Sequence, residues 1–158
     1  MKIIAVSDSH GSLRWVDKVA QAAMDAVCVF HLGDYVKDGA KFAAQCGCPV
    51  KCVAGNCDFT GGAPILLEET VAGIKVLAVH GHRYGVKSGL DTLRSEAVSR
   101  GAALCLYGHT HAPDISEYRG VWFVNPGSAS SARGMAPNSY AVIEVSENGE
   151  ICPSIVTV

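Results

Sequence analysis

The chain alternates short apolar runs with amphipathic stretches. Residues 2–6, KIIAV, form a continuous apolar run of strand length. Residues 12–26, SLRWVDKVAQAAMDA, place apolar side chains at helical spacing, with Ser12 as the candidate N-cap. A second strand is expected at VCVF (27–30), a helix within KDGAKFAAQC (37–46) and a third strand at VKCVA (50–54). ILLEETV (65–71) and IKVLAV (74–79) flank Ala72-Gly73 and read as a hairpin whose second strand runs toward His80. A helix near GLDTLRSEAVSR (89–100) leads to a strand at ALCLY (103–107). Three more strands are expected at VWFVN (121–125), SYAVIEV (139–145) and ICPSIVTV (151–158), with a turn at Asn148-Gly149. The alternation in the first half predicts parallel pairing, and the last third predicts antiparallel pairing. The expected fold is α/β, with two packed mixed β-sheets flanked by helices in a single domain over residues 1–158.

Composition then narrows the partners. Apolar residues are 49% of the chain and charged residues 18%, a balance that favours a packed globule over a disordered chain. A net charge of −2 without a basic run leaves no electrostatic footprint for a nucleic-acid backbone. MKIIAVSDSHG falls well short of a signal-peptide core or of the roughly 20 residues of a membrane span, so a cytoplasmic protein without a membrane partner is expected. In that compartment the seven cysteines read as reduced thiols. Cys46, Cys48, Cys52 and Cys57 crowd together in sequence, yet an extended VKCVA sets Cys52 and Cys57 about 17 Å apart. A thiolate metal cluster is therefore not expected. GVWFVN and the terminal IVTV fit either core or interface strands, which leaves a homo-oligomer open.

The polar residues that a core would not tolerate collect at strand ends. Asp8 and His10 follow the first strand, Asp34 the second and Asn56 the third. His80 ends the hairpin, and His109 and His111 follow ALCLY. All six histidines lie at such ends and none in a predicted helix. Ligands of open α/β sheets bind along the carboxyl edge, so these side chains are expected to converge. Carboxylates, an amide oxygen and imidazoles without an evident thiolate form a mixed shell suited to Mn, Fe, Co, Ni or Zn. Seven donors are too many for one ion and fit two if a carboxylate bridges. Two divalent ions against two carboxylates leave about two positive charges, which attract a phosphate.

The succession D-x-H (Asp8, His10), G-D (Asp34), G-N (Asn56), H-G-H (His80, His82) and G-H-T-H (His109, His111) resembles the calcineurin-like metallophosphoesterase superfamily, in its small single-domain bacterial and archaeal phosphodiesterase branch. The likeness runs from Lys2 to about Ser128 and includes NPGS (125–128). It implies a metal-dependent phosphodiesterase with two transition-metal ions, manganese first, acting on a small phosphoester. Asp8, His10 and His111 would bind one ion, Asn56, His80 and His109 the other, and Asp34 would bridge. The implied reaction is in-line attack on phosphorus by a metal-bound hydroxide. Gly11 would keep the approach to the first metal free of side-chain bulk, and Asn125 and Ser128 would support the ligands.

The resemblance also carries a departure. Many members of the superfamily have a histidine after the G-N asparagine, thought to protonate the leaving oxygen, where this chain has Cys57. His82 is either a substitute acid, a phosphate contact or a support for a ligand. His31 reads as structural. Arg83 and Arg133 are either phosphate clamps or surface residues. The stretch between Asn56 and Ile65 is too short for a cap domain, which implies an open site. Two rival readings stay open: an interaction scaffold of the same fold, as in the eukaryotic retromer complex, and a nucleotide-binding redox protein.

Overall fold

The computed structural model describes residues 1–59 and 62–158. Its elements, in chain order, are β1 (Lys2–Val6), α1 (Val16–Ala22), β2 (Cys28–His31), α2 (Val36–Ala43), β3 (Val50–Cys52), β4 (Leu66–Val71) and β5 (Ile74–Val79). There follow a 3₁₀ turn (His82–Tyr84), α3 (Asp91–Ser99), β6 (Leu104–Leu106), β7 (Pro113–Tyr118), β8 (Val121–Pro126), β9 (Ser139–Val145) and β10 (Ile151–Thr157). One sheet has the order β10-β9-β1-β2-β3, the other β4-β5-β6-β8-β7.

The continuous apolar runs have a direct cause: their strands are covered on both faces. In β1, Ile3 and Ala5 join Phe30, Val76, Ala78, Leu104, Leu106 and Val124 in a core shared by the two sheets. The alternate residues Ile4 and Val6 point the other way, onto Trp15, Val16 and Val19 around α1 and Phe42 of α2. On the outer face of the second sheet, Leu77, Val79, Cys105 and Phe123 pack with Leu93 and Ala97 of α3. The layers thus run helix, sheet, sheet, helix. Gly39 lets α2 lie close to its sheet, because a Cβ there would stand 2.8 Å from Cys52 Sγ and 3.1 Å from His31 Cβ.

Several expectations need correction. Ser12 is not the N-cap of α1: the helix starts at Val16 behind Trp15, without a side-chain cap. Burial of the Trp15 side chain sets that start, and its indole N–H donates to the Ser12 carbonyl at 2.7 Å. VKCVA is a strand only over Val50–Cys52, since Ala54 turns away to donate its N–H to Pro64 at 2.8 Å. β7 was not foreseen, because its sequence PDISEY has a weak apolar pattern and lies at a sheet edge. The antiparallel strands are not segregated: β8 pairs parallel with β6, while β9 pairs antiparallel with β1 and so extends the first sheet. His82 opens the 3₁₀ turn instead of lying in a simple strand end.

The strands VWFVN and IVTV separate in role. β8 is an interior strand with a largely buried sequence, whereas β10 is an edge strand that carries Pro153. At the opposite side of the first sheet, Lys51 of β3 forms an ion pair with Glu69 of β4 at 2.8 Å. All seven cysteines are free thiols. Cys46 and Cys48 lie with their sulfurs 3.2 Å apart against the α1 side of the core. No cysteine joins a group of three possible metal ligands among the described residues. Replacing Cys46, Cys48 and Cys52 together by alanine is expected to lower stability through lost packing and to leave metal stoichiometry unchanged, as read by denaturant titration and elemental analysis of the folded variant.

Candidate metal centre

The ends of β1, β2, β3, β5 and β6 open onto one rim, and each delivers a polar side chain to it. Asp8, Asp34, His80 and His111 are buried, and Asn56 is exposed. The delivery requires unusual backbone. Asp8, His10, Asp34, His109 and His111 have φ of 54°, 47°, 52°, 71° and 60°, the left-handed region that non-glycine residues rarely occupy. Such strain persists where the surrounding structure over-determines it, and it concentrates at functional sites.

The motif glycines have a steric explanation. A Cβ on Gly33 would lie 2.6 Å from the Gly55 amide nitrogen and 3.0 Å from His80 Nδ1. On Gly55 it would collide with the Asp34 carboxylate, and on Gly108 with the Ser7 hydroxyl. The loop that carries Asp34 therefore nests against that of Asn56, and the loop that carries His109 against the Ser7–Asp8 segment at the end of β1.

Two groups of donors result, Asp8, His10, Asp34 and His111 on one side and Asp34, His80 and His109 on the other. Asp34 is common to both. His111 Nε2 stands 3.2 Å from Asp8 Oδ1 and 3.1 Å from His10 Nε2, which is itself 3.7 Å from Asp34 Oδ2. His80 Nε2 stands 3.5 Å from Asp34 Oδ1, 3.2 Å from Asn56 Oδ1 and 3.2 Å from His109 Nδ1. Two ring orientations are fixed from behind. Nδ1 of His80 faces the Leu32 carbonyl at 2.7 Å and Nδ1 of His111 the Ser131 carbonyl at 2.7 Å. A carbonyl only accepts, so each Nδ1 carries a proton, and in the neutral tautomer this selects Nε2 as the atom whose lone pair faces the site. Among the described residues Asp8 Oδ1 is buried without a hydrogen-bond partner, while its Oδ2 accepts from Ser7 Oγ (2.6 Å) and the His109 amide (3.0 Å). Acceptors that converge in this way repel one another unless cations lie between them. The residues therefore fit divalent metals, and their mixed oxygen and nitrogen character fits first-row transition ions.

Local electrostatics follow from burial and from these neighbours. Burial raises the Asp8 carboxyl, but its neighbours His111, His80 and Ser7 outweigh it and hold Asp8 below the usual carboxylate range. His111 is raised, chiefly by Asp8. His109 is lowered to about 4 by burial and then by His80, so it is neutral near pH 7. Burial, followed by His80 and Arg83, lowers His82 as well. The Cys57 thiol is pushed up to about 11 by burial and by Asp34.

The seven candidate ligands come together, and the other residues fall into place around them. His82 lies beside the second group, its ring centroid 5.4 Å from that of His80 and 6.1 Å from that of His109, with Nδ1 unpartnered among the described residues. Cys57 lies at the rim, donating its amide to Asp34 Oδ1 at 2.9 Å and receiving Asn56 Nδ2 on sulfur at 3.4 Å. His31 is fully buried and bonds Ser9 Oγ at 3.0 Å, and burial lowers it to about 4. Asn125 donates to the Gly108 carbonyl (3.1 Å) and to Thr110 Oγ1 (3.0 Å), and Ser128 donates to the Asp8 carbonyl (2.7 Å). Arg83 and Arg133 are exposed, and the Arg133 amide donates to the His111 carbonyl at 3.2 Å. Gly11 has φ +82° and donates its N–H to Asp38 Oδ2 at 2.8 Å, a backbone role distinct from clearing a path to the metal.

Two acids that hold the site together went unforeseen. Asp58 accepts the amides of Tyr35 (3.0 Å) and Val36 (2.8 Å) on one oxygen and of Gly55 (2.9 Å) on the other, so it caps α2 and ties the Asp34 loop to the Asn56 loop. Asp38, buried on α2, accepts from Ser9 Oγ at 2.8 Å as well as from Gly11. The available signals were an acid two residues beyond Asn56 and a lone carboxylate on the helix face shared with Gly39 and Phe42.

Comparison with known proteins agrees with this geometry. The calcineurin-like phosphoesterase superfamily domain matches residues 1–148. The probable metallophosphoesterase YsnB of Bacillus subtilis is 33% identical over 146 residues, covering 90% of this chain and 83% of the relative. Phosphodiesterase YfcE of Escherichia coli is 32% identical over 173 residues, covering 91% and 88%. A predicted phosphoesterase from Streptococcus pneumoniae superposes with a TM-score of 0.82 at 28% identity, covering 99% of this chain and 97% of that one. Zinc-complexed Vps29 of Entamoeba histolytica shares the fold, with a TM-score of 0.77 at 20% identity and coverage of 99% and 98%. With its two donor groups joined at Asp34 and a match across nearly its whole length, the chain belongs to the calcineurin-like phosphoesterase superfamily.

Proposed function

We propose that the protein is a phosphodiesterase that works with two divalent transition-metal ions. Asp8, His10 and His111 hold one ion, Asn56, His80 and His109 hold the other, and Asp34 bridges. The observation that carries this reading is the pair of donor groups sharing one carboxylate. Manganese is the proposed ion, with nickel, iron, cobalt and zinc compatible with the same donors. When bound, the ions supply Lewis acidity toward the phosphoryl oxygens and water that ionises near neutral pH.

The chain's own residues do the positioning. Leu32 and Ser131 aim two imidazoles through their carbonyls, and Asp34 is fixed by the Cys57 amide. Asn125 and Ser128 hold the loops of His109 and Asp8. His82, flanking the second donor group, contacts a phosphoryl oxygen or the leaving group, and Cys57 occupies the place next to Asn56 from which a leaving oxygen would be protonated. A free thiol, with an ordinary pKa of about 8.5, is a weak donor for that step. The proposed setting is the cytoplasm, in keeping with free thiols. No helix among the described residues is long and apolar enough to cross a membrane.

The likeness to Vps29 supports a second reading, a protein-interaction scaffold with little catalysis. Metal content and turnover separate the two. The protein reconstituted with manganese or nickel is expected to hold two ions per chain, Asp34→Asn to weaken both sites and His111→Ala to empty mainly one. Elemental analysis that never exceeds one ion would contradict the binuclear assignment, and two ions without hydrolysis of an aryl phosphodiester would favour the scaffold.

Leaving-group dependence follows from Cys57. Acid catalysis typically contributes about 10²–10⁴-fold, and without an imidazole after Asn56 most of that is forgone. Aryl phosphodiesters are expected to be cleaved faster than alkyl ones, and Cys57→His to raise turnover selectively on poor leaving groups. Equal rates for alkyl and aryl diesters in the wild type, with chemistry rate-limiting, would assign the acid role to another group, His82 first.

A further inference from the structure

Beside the metal centre lies a cleft of about 470 Å³, lined in part by His10, Tyr35, Val36, Lys37, Cys57 and Phe59. Its volume falls within the range of small-molecule sites, about 300–1,000 Å³. His10 and Cys57 belong equally to the centre, so the cleft and the metal donors are continuous. The Tyr35 ring meets the His10 imidazole edge-on, with centroids 5.8 Å apart. Phe59 is 90% exposed and Tyr35 43% exposed, so both aromatic rings present apolar surface at the mouth. The remaining walls include Val36, Ala54 and Ala63.

The cleft carries one charge of each sign. Asp58 lines it with its two oxygens taken up by the amides of Tyr35, Val36 and Gly55. Lys37, exposed, forms no ion pair among the described residues and leaves a cation at the edge. An occupant therefore meets aromatic and aliphatic walls, one cation, and a metal-binding rim. An uncharged planar group joined to an anionic phosphoryl group satisfies all three.

We propose that this cleft seats an aromatic substituent of the phosphodiester, with Phe59 and Tyr35 as specificity-determining residues. The assignment rests on the phosphodiesterase reading of the metal centre, and it narrows the substrate class to diesters with at least one aryl or similarly flat apolar arm. Contact between such a ring and Phe59 removes from water a side chain that the fold leaves uncovered.

Phosphinates test this without turnover, since their P–C bonds are not hydrolysed and each carries the single charge and two free oxygens of a diester. Calorimetry on the manganese-loaded protein should give diphenylphosphinate an affinity at least about tenfold above that of dimethylphosphinate, in line with the burial of a ring. In Phe59→Ala, and separately in Tyr35→Ala, the ratio of the two affinities should fall at least about threefold, the size expected for loss of an aromatic contact. Phe59 is exposed, so its truncation tests the cleft without threatening the fold. Equal affinities for the two phosphinates in the wild type, or a ratio unchanged in both variants, would overturn the cleft assignment and leave the metal-centre reading standing. Failure of both phosphinates to bind would remove the phosphoryl site itself, and the cleft assignment with it.

Discussion

Lone pairs that face one another inside a protein repel, and the rest of this molecule is arranged to hold several of them in that position. Two carboxylates, an amide oxygen and four imidazoles meet at the rim, with the Nδ1 protons of His80 and His111 held on carbonyls behind them so that Nε2 faces the site. Five of the residues concerned adopt left-handed backbone, at about 1–3 kcal/mol each for a strained conformation. No single helix or loop would sustain such an arrangement. It is held by strands covered on both faces, so that each loop starts from a fixed point in a core shared by two sheets.

Between the core and the rim stands a layer of hydrogen bonds that transmits this rigidity. Asp38 and Asp58 act from opposite ends of α2's first turn and the loop beyond β3, gathering five N–H and O–H donors from the loops that carry His10, Asp34 and Asn56. Ser128 and Asn125 do the same for Asp8 and His109 from the end of β8. Because a carboxylate with several donors is worth more buried than exposed, these acids stabilise the loops even though they lie outside the set of metal donors. Chemistry at the rim is thus a property of loops whose geometry is dictated from three sides.

The sequence was legible where periodicity or residue type leaves few alternatives. Continuous runs such as KIIAV and IKVLAV read as doubly covered strands, and the donors after each of them could be ordered along one edge. What escaped was of two kinds. PDISEY pairs with β8 through its backbone, and an edge strand needs no apolar pattern for that. Asp58, Asp38 and Ser9 look like ordinary polar residues until the chain has folded, because their partners are backbone amides and side chains distant in sequence. The helix start at Val16 was misjudged for a related reason: packing of Trp15 outweighed the local preference of Ser12 for a cap.

The sheet edges have a consequence for how the molecule behaves in a crowded solution. β10 loses one backbone donor at Pro153, β7 begins at a proline and exposes Asp114 and Glu117, and β3 and β4 are bridged across their edges by Lys51 and Glu69. Glu68 of β4 is further engaged by Lys75 and Arg100. A foreign strand seeking to extend either sheet would have to forgo a hydrogen bond, desolvate carboxylates or break an ion pair. Runaway strand-on-strand association, the usual hazard of open sheets, is thereby disfavoured.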